Sequence, residues 1–550
     1  MRGMVCALLA SAIGLSSGVL AQPQAPAAGV VPIPSDSPGF VPGQVLVMPA
    51  RGEDPWAVAH RLETGSVPID EVETEIPLLL EGLAARGRVI RLAVPVHSEL
   101  EVAAALSARP DVEFAVPNYF GTVGAVTSPV YEEVLDQFAN PTDVRSTTDL
   151  DDPRAPDQWH LDPLASRGYI GVDALWSTPG TSGGAVIAVL DSGVDYNHPD
   201  LVGRIAPGGY DFVNEDDDPL ADHPHGTYVA GAIVANQKNG FQTAGVDRGA
   251  SIVPVKVISQ YLFGTTLDLY EGLMHVASLD HVDIVSMSLV NYRRSPLIDE
   301  GLRALRDSGK IVIACAGNGS FGSADRSFPG ASPLTISVGA TDDFDRIGDF
   351  SGTGAALDLV APGVDVVTLD ASYDPGAAAV VSGCSFATPI TAGVVASLFS
   401  YAKSLGIQLT HEQALAMLSI GAQDNLGDSR DTLGRDDYYG YGRLDAAATL
   451  HAFQDIHDCN RNGVRDEVDL AGGLADLNGD GLLDDCQPCS EIDLSYPFGK
   501  LTYTDAHAYV SAFREASAVA DLAEPPGVFS ANDIIAFIDR FNDGCDAPAP

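Results

Sequence analysis

Val186-Ile187-Ala188-Val189-Leu190-Asp191-Ser192-Gly193 is a five-residue apolar run that ends in a carboxylate and a small-residue turn. A run so short and so apolar reads as a strand buried on both faces. Four more follow it: Ile252–Val257, Ile284–Leu289, Ile311–Ala314 and Leu334–Val338, with helical stretches between them. Counting the first as Ala185–Leu190, strands alternating with helices predict an α/β unit over residues 152–451, a parallel sheet sandwiched by helices. Such sheets carry their sites at the carboxyl ends of the strands, which is where Asp191 stands.

Two further stretches in this unit bear reactive groups. His225-Gly226-Thr227-Tyr228-Val229-Ala230-Gly231 places a histidine at the start of a small-residue helix. Ser382-Gly383-Cys384-Ser385-Phe386-Ala387-Thr388-Pro389 uses a glycine turn to present a serine at another helix start. Singly, each has an ordinary explanation: an Asp after a strand is a turn or cap residue, and a serine before a helix is an N-cap. Together they are the parts of an activated nucleophile, because a serine hydroxyl needs a base within hydrogen-bond reach and the base needs an orienting group.

These three blocks resemble the signature blocks of the subtilisin-like serine proteases, peptidase family S8, in that family's order of Asp, His and Ser. The match runs from about Asp152 to Ala447, with the three residues 34 and 160 positions apart. The resemblance implies a serine endopeptidase in which His225 takes the proton of Ser385 and Asp191 orients the imidazole. Ala314-Cys315-Ala316-Gly317-Asn318-Gly319 resembles the oxyanion-hole block, so Asn318 is expected to donate beside the backbone N–H of Ser385. Ser288, Leu289, Val290 and Gly317 are the corresponding substrate-binding positions. His198-Pro199-Asp200-Leu201 and the closing Gly440-Tyr441-Gly442-Arg443-Leu444-Asp445-Ala446 agree with the family as well.

Departures from the pattern carry their own expectations. Val290-Asn291 stands where relatives have two glycines, which predicts a narrower pocket or altered pairing with a peptide backbone. Cys384 precedes the nucleophile where Thr is usual, and a thiol is a weaker donor than a hydroxyl. Cys315 and Cys384 both fall near the site, and the reading favours free thiols.

Upstream, Arg2, the apolar stretch Met4–Leu15 and Val19-Leu20-Ala21 read as an export signal over residues 1–21, cut before Gln22. Residues 22–40 form a Pro/Ala/Gly leader. Gln44–Met48, Pro55–Leu62, Arg88–Val94, Leu100–Leu106 and Val112–Val116 then read as strand, helix, strand, helix, strand. This is most of a β-α-β-β-α-β, ferredoxin-like α+β unit over 41–123. It resembles the family's inhibitory propeptide down to Pro117-Asn118-Tyr119, which implies activation cleavage in the linker 124–151.

Downstream, Asp458, Asn460, Asn462, Asp466 and Asp469 match a calcium loop in spacing, with Gly463 at the turn. A second copy uses Asp476, Asn478, Asp480 and Asp484 but has Gln487 at its last position. Both lie in 456–490 and resemble dockerin or thrombospondin type 3 loops. Proximity suggests the pairings Cys459 with Cys486 and Cys489 with Cys545. Residues 491–546 repeat at a spacing of 28, as in Asp493-Leu494 and Asp521-Leu522. They resemble a dockerin-like module that either docks to a surface or scaffold partner or acts as a spacer. Inside the protease unit, Asp152 and Asp200, with Asn239 behind them, resemble ligands of a stabilising calcium site. Structural Ca2+ is therefore the expected cofactor.

The chain has 550 residues and a formal charge of −45. That charge argues against a nucleic-acid partner, since phosphate binding requires Lys and Arg. With no later run of about 18 apolar residues to anchor it, the mature protein is expected outside the cell, acting on proteins or peptides. The alternative is a catalytically silent subtilase-like surface or binding module.

Overall fold

The structure is a computed structural model. It describes residues 39–472 apart from 65, 70–71, 78, 85–88, 124–149, 165 and 320–323. The export signal, the leader, the linker, the second calcium loop and the terminal repeats lie outside these residues.

Seven parallel strands form the central sheet in the order Leu359–Pro362, Ile336–Thr341, Ile311–Cys315, Ile284–Met287, Val186–Asp191, Ser251–Lys256 and Tyr210–Asp211. The apolar runs form these strands because alternate side chains have alternate cores to enter. Ile187 and Val189 join one cluster, packed with the helices His225–Val234 and Cys384–Ser404. Ala188 and Leu190 join the other, with the helices Thr266–Ala277 and Pro296–Asp307. The same alternation runs through Ile284/Val285 and Ile311/Val312. Both neighbours of Val186–Asp191 follow it in the chain, Ser251–Lys256 on one side and Ile284–Met287 on the other, so the strand order reverses there. Asp191 ends at this switch point, the place where open sheets build their clefts.

Residues 40–123 form an antiparallel sheet with two helices. Phe40–Pro49 lies between Val89–Ala93 and Val112–Val123, and Leu79–Ala84 flanks Val89–Ala93. A hairpin, Ser66–Ile69 with Val72–Pro77, was not visible in the apolar pattern. One face of the sheet, through Val45, Val47, Ile90 and Leu92, packs on its own helices Pro55–Thr64 and Glu99–Ser107. Leu46, Met48 and Val89, on the other face, meet Leu267, Tyr270 and Leu297 of the parallel-sheet unit.

Val112–Val123 extends seven residues past the expected Val112–Val116. Its end pairs with Phe263–Thr265 on one side and Leu289–Val290 on the other, both antiparallel. Leu289–Val290 is thus a separate short strand, where the sequence suggested a continuation of Ile284–Met287.

Candidate active site

His225 opens its helix directly beneath Asp191. Its Nδ1–H donates to Asp191 Oδ1 at 2.7 Å, and both residues are buried. The approach depends on Gly226: a Cβ there would lie 2.1 Å from the Gly193 carbonyl oxygen and 3.1 Å from Asp191 Oδ1. Ser192 ties the loop to the helix, its hydroxyl accepting from Gly226 N and donating to the His223 carbonyl. Asp191 Oδ1 also accepts from Ser192 N at 2.7 Å, so the carboxylate is fixed before it orients the imidazole. Burial pushes His223 down from the ordinary histidine range, and the neighbouring His225 adds to that. His223 Nδ1 accepts from His225 N at 3.2 Å.

Ser385 occupies the first turn of Cys384–Ser404. Pro389 stands four residues later and has no N–H to give the Ser385 carbonyl. Ser288 supplies the missing bond, its hydroxyl donating to Ser385 O at 2.7 Å. In return, Ser385 Oγ donates to Ser288 O at 3.2 Å. His225 Nε2 is buried without a hydrogen-bond partner, and the His225 ring lies 5.7 Å from that of Phe386. The Asp–His pair is therefore assembled, while the serine hydroxyl rests on Ser288; catalytic hydrogen bonds often tighten only with substrate bound.

Asn318 follows the strand Ile311–Cys315 and reaches the helix start, where its Oδ1 accepts from Cys384 N at 3.0 Å. With the oxygen held, the amide orientation is set beside the N-terminus that carries Ser385. Gly317 takes φ 111 in the turn before it.

Cys315 and Cys384 are not free thiols, as the sequence reading favoured; they form a disulfide, with Cα atoms 5.2 Å apart. The sheet end and the helix start meet here, which no spacing in the chain reveals: the two cysteines are 69 residues apart. Bonded sulfur has no S–H, so the Cys384 side chain offers no donor to an oxyanion. Val290 packs on this bridge. It keeps its backbone register opposite Thr122, and Asn291 adopts the left-handed φ of 64 that a glycine would take freely. Backbone pairing is thus kept at Val290, while Asn291 N donates to Ser327 Oγ at 3.0 Å.

Asp152 and Asp200 are buried, and the exposed Asn239 reaches both. Asp152 accepts from Lys238 N and Asn239 N, and Asp200 Oδ1 accepts from Asn239 Nδ2 at 2.8 Å. Burial pushes Asp200 up to about 7, and the Asp152 charge contributes in the same direction. Two buried carboxylates with so little positive charge between them suit a hard cation. In the first downstream loop, Asp458 accepts from Asn462 N and Gly463 N, and Asp469 Oδ2 accepts from the Asn460 and Asn462 amides. Asp466 instead caps Cys459 N. Among the described residues no three His, Cys, Asp or Glu side chains come together as a metal cage, so a cation at either place would need amide and carbonyl oxygens too. Cys459 is disulfide-bonded, and its suggested partner Cys486 lies outside the described residues.

One helix among the described residues, Cys384–Ser404, is long and apolar enough to cross a membrane, but 94% of that stretch is buried in protein. It is the core helix whose first turn holds Ser385.

A parallel sheet with a buried Asp–His pair at its switch point, and a serine and an amide meeting at a helix start, define a protein of the serine-protease class. The family model described as the subtilase family matches residues 182–442. The chain is 33% identical over 275 residues to thermophilic serine proteinase of Bacillus sp. (strain AK1), covering 50% of this chain and 63% of that one. It is 34% identical over 221 residues to thermitase of Thermoactinomyces vulgaris, 40% of this chain and 77% of that one. With subtilisin of Bacillus pumilus it shares 33% over 282 residues, 51% of this chain and 95% of that one. The chain belongs to the subtilase family and is by that membership a serine endopeptidase.

Proposed function

We propose that the protein is exported as a zymogen and hydrolyses peptide bonds in proteins through Asp191, His225 and Ser385. In this reading His225 takes the Ser385 proton as Oγ attacks the scissile carbonyl, and delivers it to the leaving amine. Asp191 holds the tautomer and stabilises the imidazolium. Asn318 and the Ser385 N–H receive the oxyanion, and water then resolves the acyl-enzyme. Residues 41–123 act as the intramolecular inhibitor, released by a cut in 124–151.

The observation that carries this reading is the end of Val112–Val123, which lies as an extended strand between Phe263–Thr265 and Leu289–Val290. Ser288, the residue before Leu289, is bonded to the Ser385 hydroxyl. An extended peptide seated there leads toward the nucleophile, and a substrate would use the same two edges. A relative named cell wall-associated protease, from Bacillus subtilis (strain 168), is 30% identical over 282 residues, which supports an extracellular site of action. Asp152, Asp200 and Asn239, together with Asp458, Asn460, Asn462 and Asp469, would hold structural Ca2+. Bound there, the ion would neutralise buried carboxylate charge without entering the reaction. Asp466, Asp476, Asn478, Asp480 and Asp484 complete the proposed downstream set. The terminal repeats are proposed as an attachment module.

The test is expression with and without Ser385→Ala in calcium. The wild type is expected to lose its N-terminal unit and digest casein, and the variant to do neither. If both stay full length and inert, the silent-module alternative stands instead.

A further inference from the structure

The strand that fills the cleft carries glycine at position 121, directly opposite Gly264 of the cleft wall. The Tyr292 side chain reaches both. A Cβ on Gly121 would lie 2.1 Å from Tyr292 Cδ2 and Cε2 and 2.4 Å from Cγ. On Gly264 it would lie 2.6 Å from the Tyr292 hydroxyl and 2.1 Å from the Val257 carbonyl oxygen. These distances are well inside van der Waals contact, and the atoms met at Gly121 include the base of the ring, which turning about its own axis cannot clear.

Nor can the ring swing away. With residues 40–123 in place Tyr292 is 1% exposed, and Leu289 and Phe328, which stay beside it when that unit leaves, belong to its cluster. Its backbone N donates to Phe328 O at 3.2 Å and its carbonyl accepts from Phe328 N at 3.3 Å. Gly121 is not among the glycines with positive φ, so its backbone conformation is open to any residue. The ring, not the backbone, demands glycine. The Tyr292 hydroxyl is buried with no hydrogen-bond partner, which is unfavourable in itself; the aromatic ring is what fills the space.

We propose that Tyr292 is a specificity-determining residue, restricting the cleft to extended peptides with glycine at the place Gly121 occupies. The proposal rests on reading the cleft as the substrate groove of an endopeptidase. The protein's own strand meets the requirement, and the enzyme would select glycine-bearing segments of its substrates.

Two experiments test it. The first compares kcat/KM of the active enzyme on internally quenched peptides containing Phe-Gly-Thr-Val, Phe-Ala-Thr-Val or Phe-Leu-Thr-Val. Overpacking of a fixed site predicts a preference for glycine over alanine of about tenfold to hundredfold, retained in Tyr292→Phe and lost in Tyr292→Ala. Equal rates on the glycine and alanine peptides in the wild type would overturn the proposal, and this holds even if Tyr292→Ala fails to fold. The second experiment needs no catalysis. In full-length Ser385→Ala protein, Gly121→Leu should raise amide hydrogen exchange over residues 118–123 by about tenfold or more, and adding Tyr292→Ala should restore protection. Unchanged exchange in Gly121→Leu would refute the steric argument. If no peptide or casein is cut in a Ser385-dependent way, the endopeptidase reading fails, while the exchange measurement still decides whether Tyr292 excludes side chains.

Discussion

Replacing Cys315 by Ala and Cys384 by Thr together removes the covalent tie between the strand Ile311–Cys315 and the helix Cys384–Ser404. The bridge closes a segment of 69 residues. In the chain-entropy model a loop of that length stabilises by about 4 kcal/mol, between roughly 3 for 15 residues and 4.7 for 100. Both cysteines are fully buried and close-packed with Val290, so the pair also contributes as core. For a unit this large, 1 kcal/mol corresponds to about 2 °C, and the double variant should melt about 8 °C lower. The assay is thermal unfolding in a Ser385→Ala background, which removes self-digestion as a complication. It is paired with thiol titration of the denatured, unreduced protein. Two reactive thiols assigned to these positions, or a melting temperature within 1–2 °C of the parent, would refute the reasoning.

Asn318→Leu should lower kcat by about 10²–10³ with little change in KM, the loss of one oxyanion donor; stopped assays on a peptide ester would read it. Asp268 caps the helix Thr266–Ala277, and burial pushes its carboxyl up to about 7. A carboxyl raised in the folded state makes the native form bind the extra proton between pH 4 and 7. Its contribution to stability is therefore greatest at low pH and falls as pH rises toward 7. Asp268→Asn should flatten the melting temperature of unprocessed Ser385→Ala protein across that window. Chelation of calcium should lower the melting temperature, and Asp200→Asn should shrink that drop; an equal drop in both would argue against an ion at Asp200.

The proposed triad could be read from local motifs, each spanning no more than eight positions of the chain. The parallel sheet was legible for a similar reason: strands buried on both faces become unbroken apolar runs. Tyr210–Asp211 and Leu359–Pro362 were passed over, being too short to show a pattern. The hairpin Ser66–Pro77 mixes Pro, Glu and Thr with its apolar residues and showed no period. What failed was everything set by distant approach. The cysteine bridge joins a strand end to a helix start that only the finished sheet brings together. Tyr292 gave no signal of its own, although Val290-Asn291 drew attention to the same turn. Pro389 is a signal in its own right, since a proline four residues after Ser385 announces an orphaned carbonyl there.

The helix Cys384–Ser404 carries Ser385, the proposed nucleophile, in its first turn and is buried along nearly its whole length. In many enzymes the reactive side chain sits on a loop that can open while the body of the protein holds. Here the reactive end and the central pillar are one element. Local opening at Ser385 would mean withdrawing core residues such as Phe386, Ile390 and Val394 from the main apolar cluster. The site is accordingly expected to show no separate, lower melting transition of its own. Heat would take activity and fold in the same step, and an enzyme still folded would still be a complete enzyme.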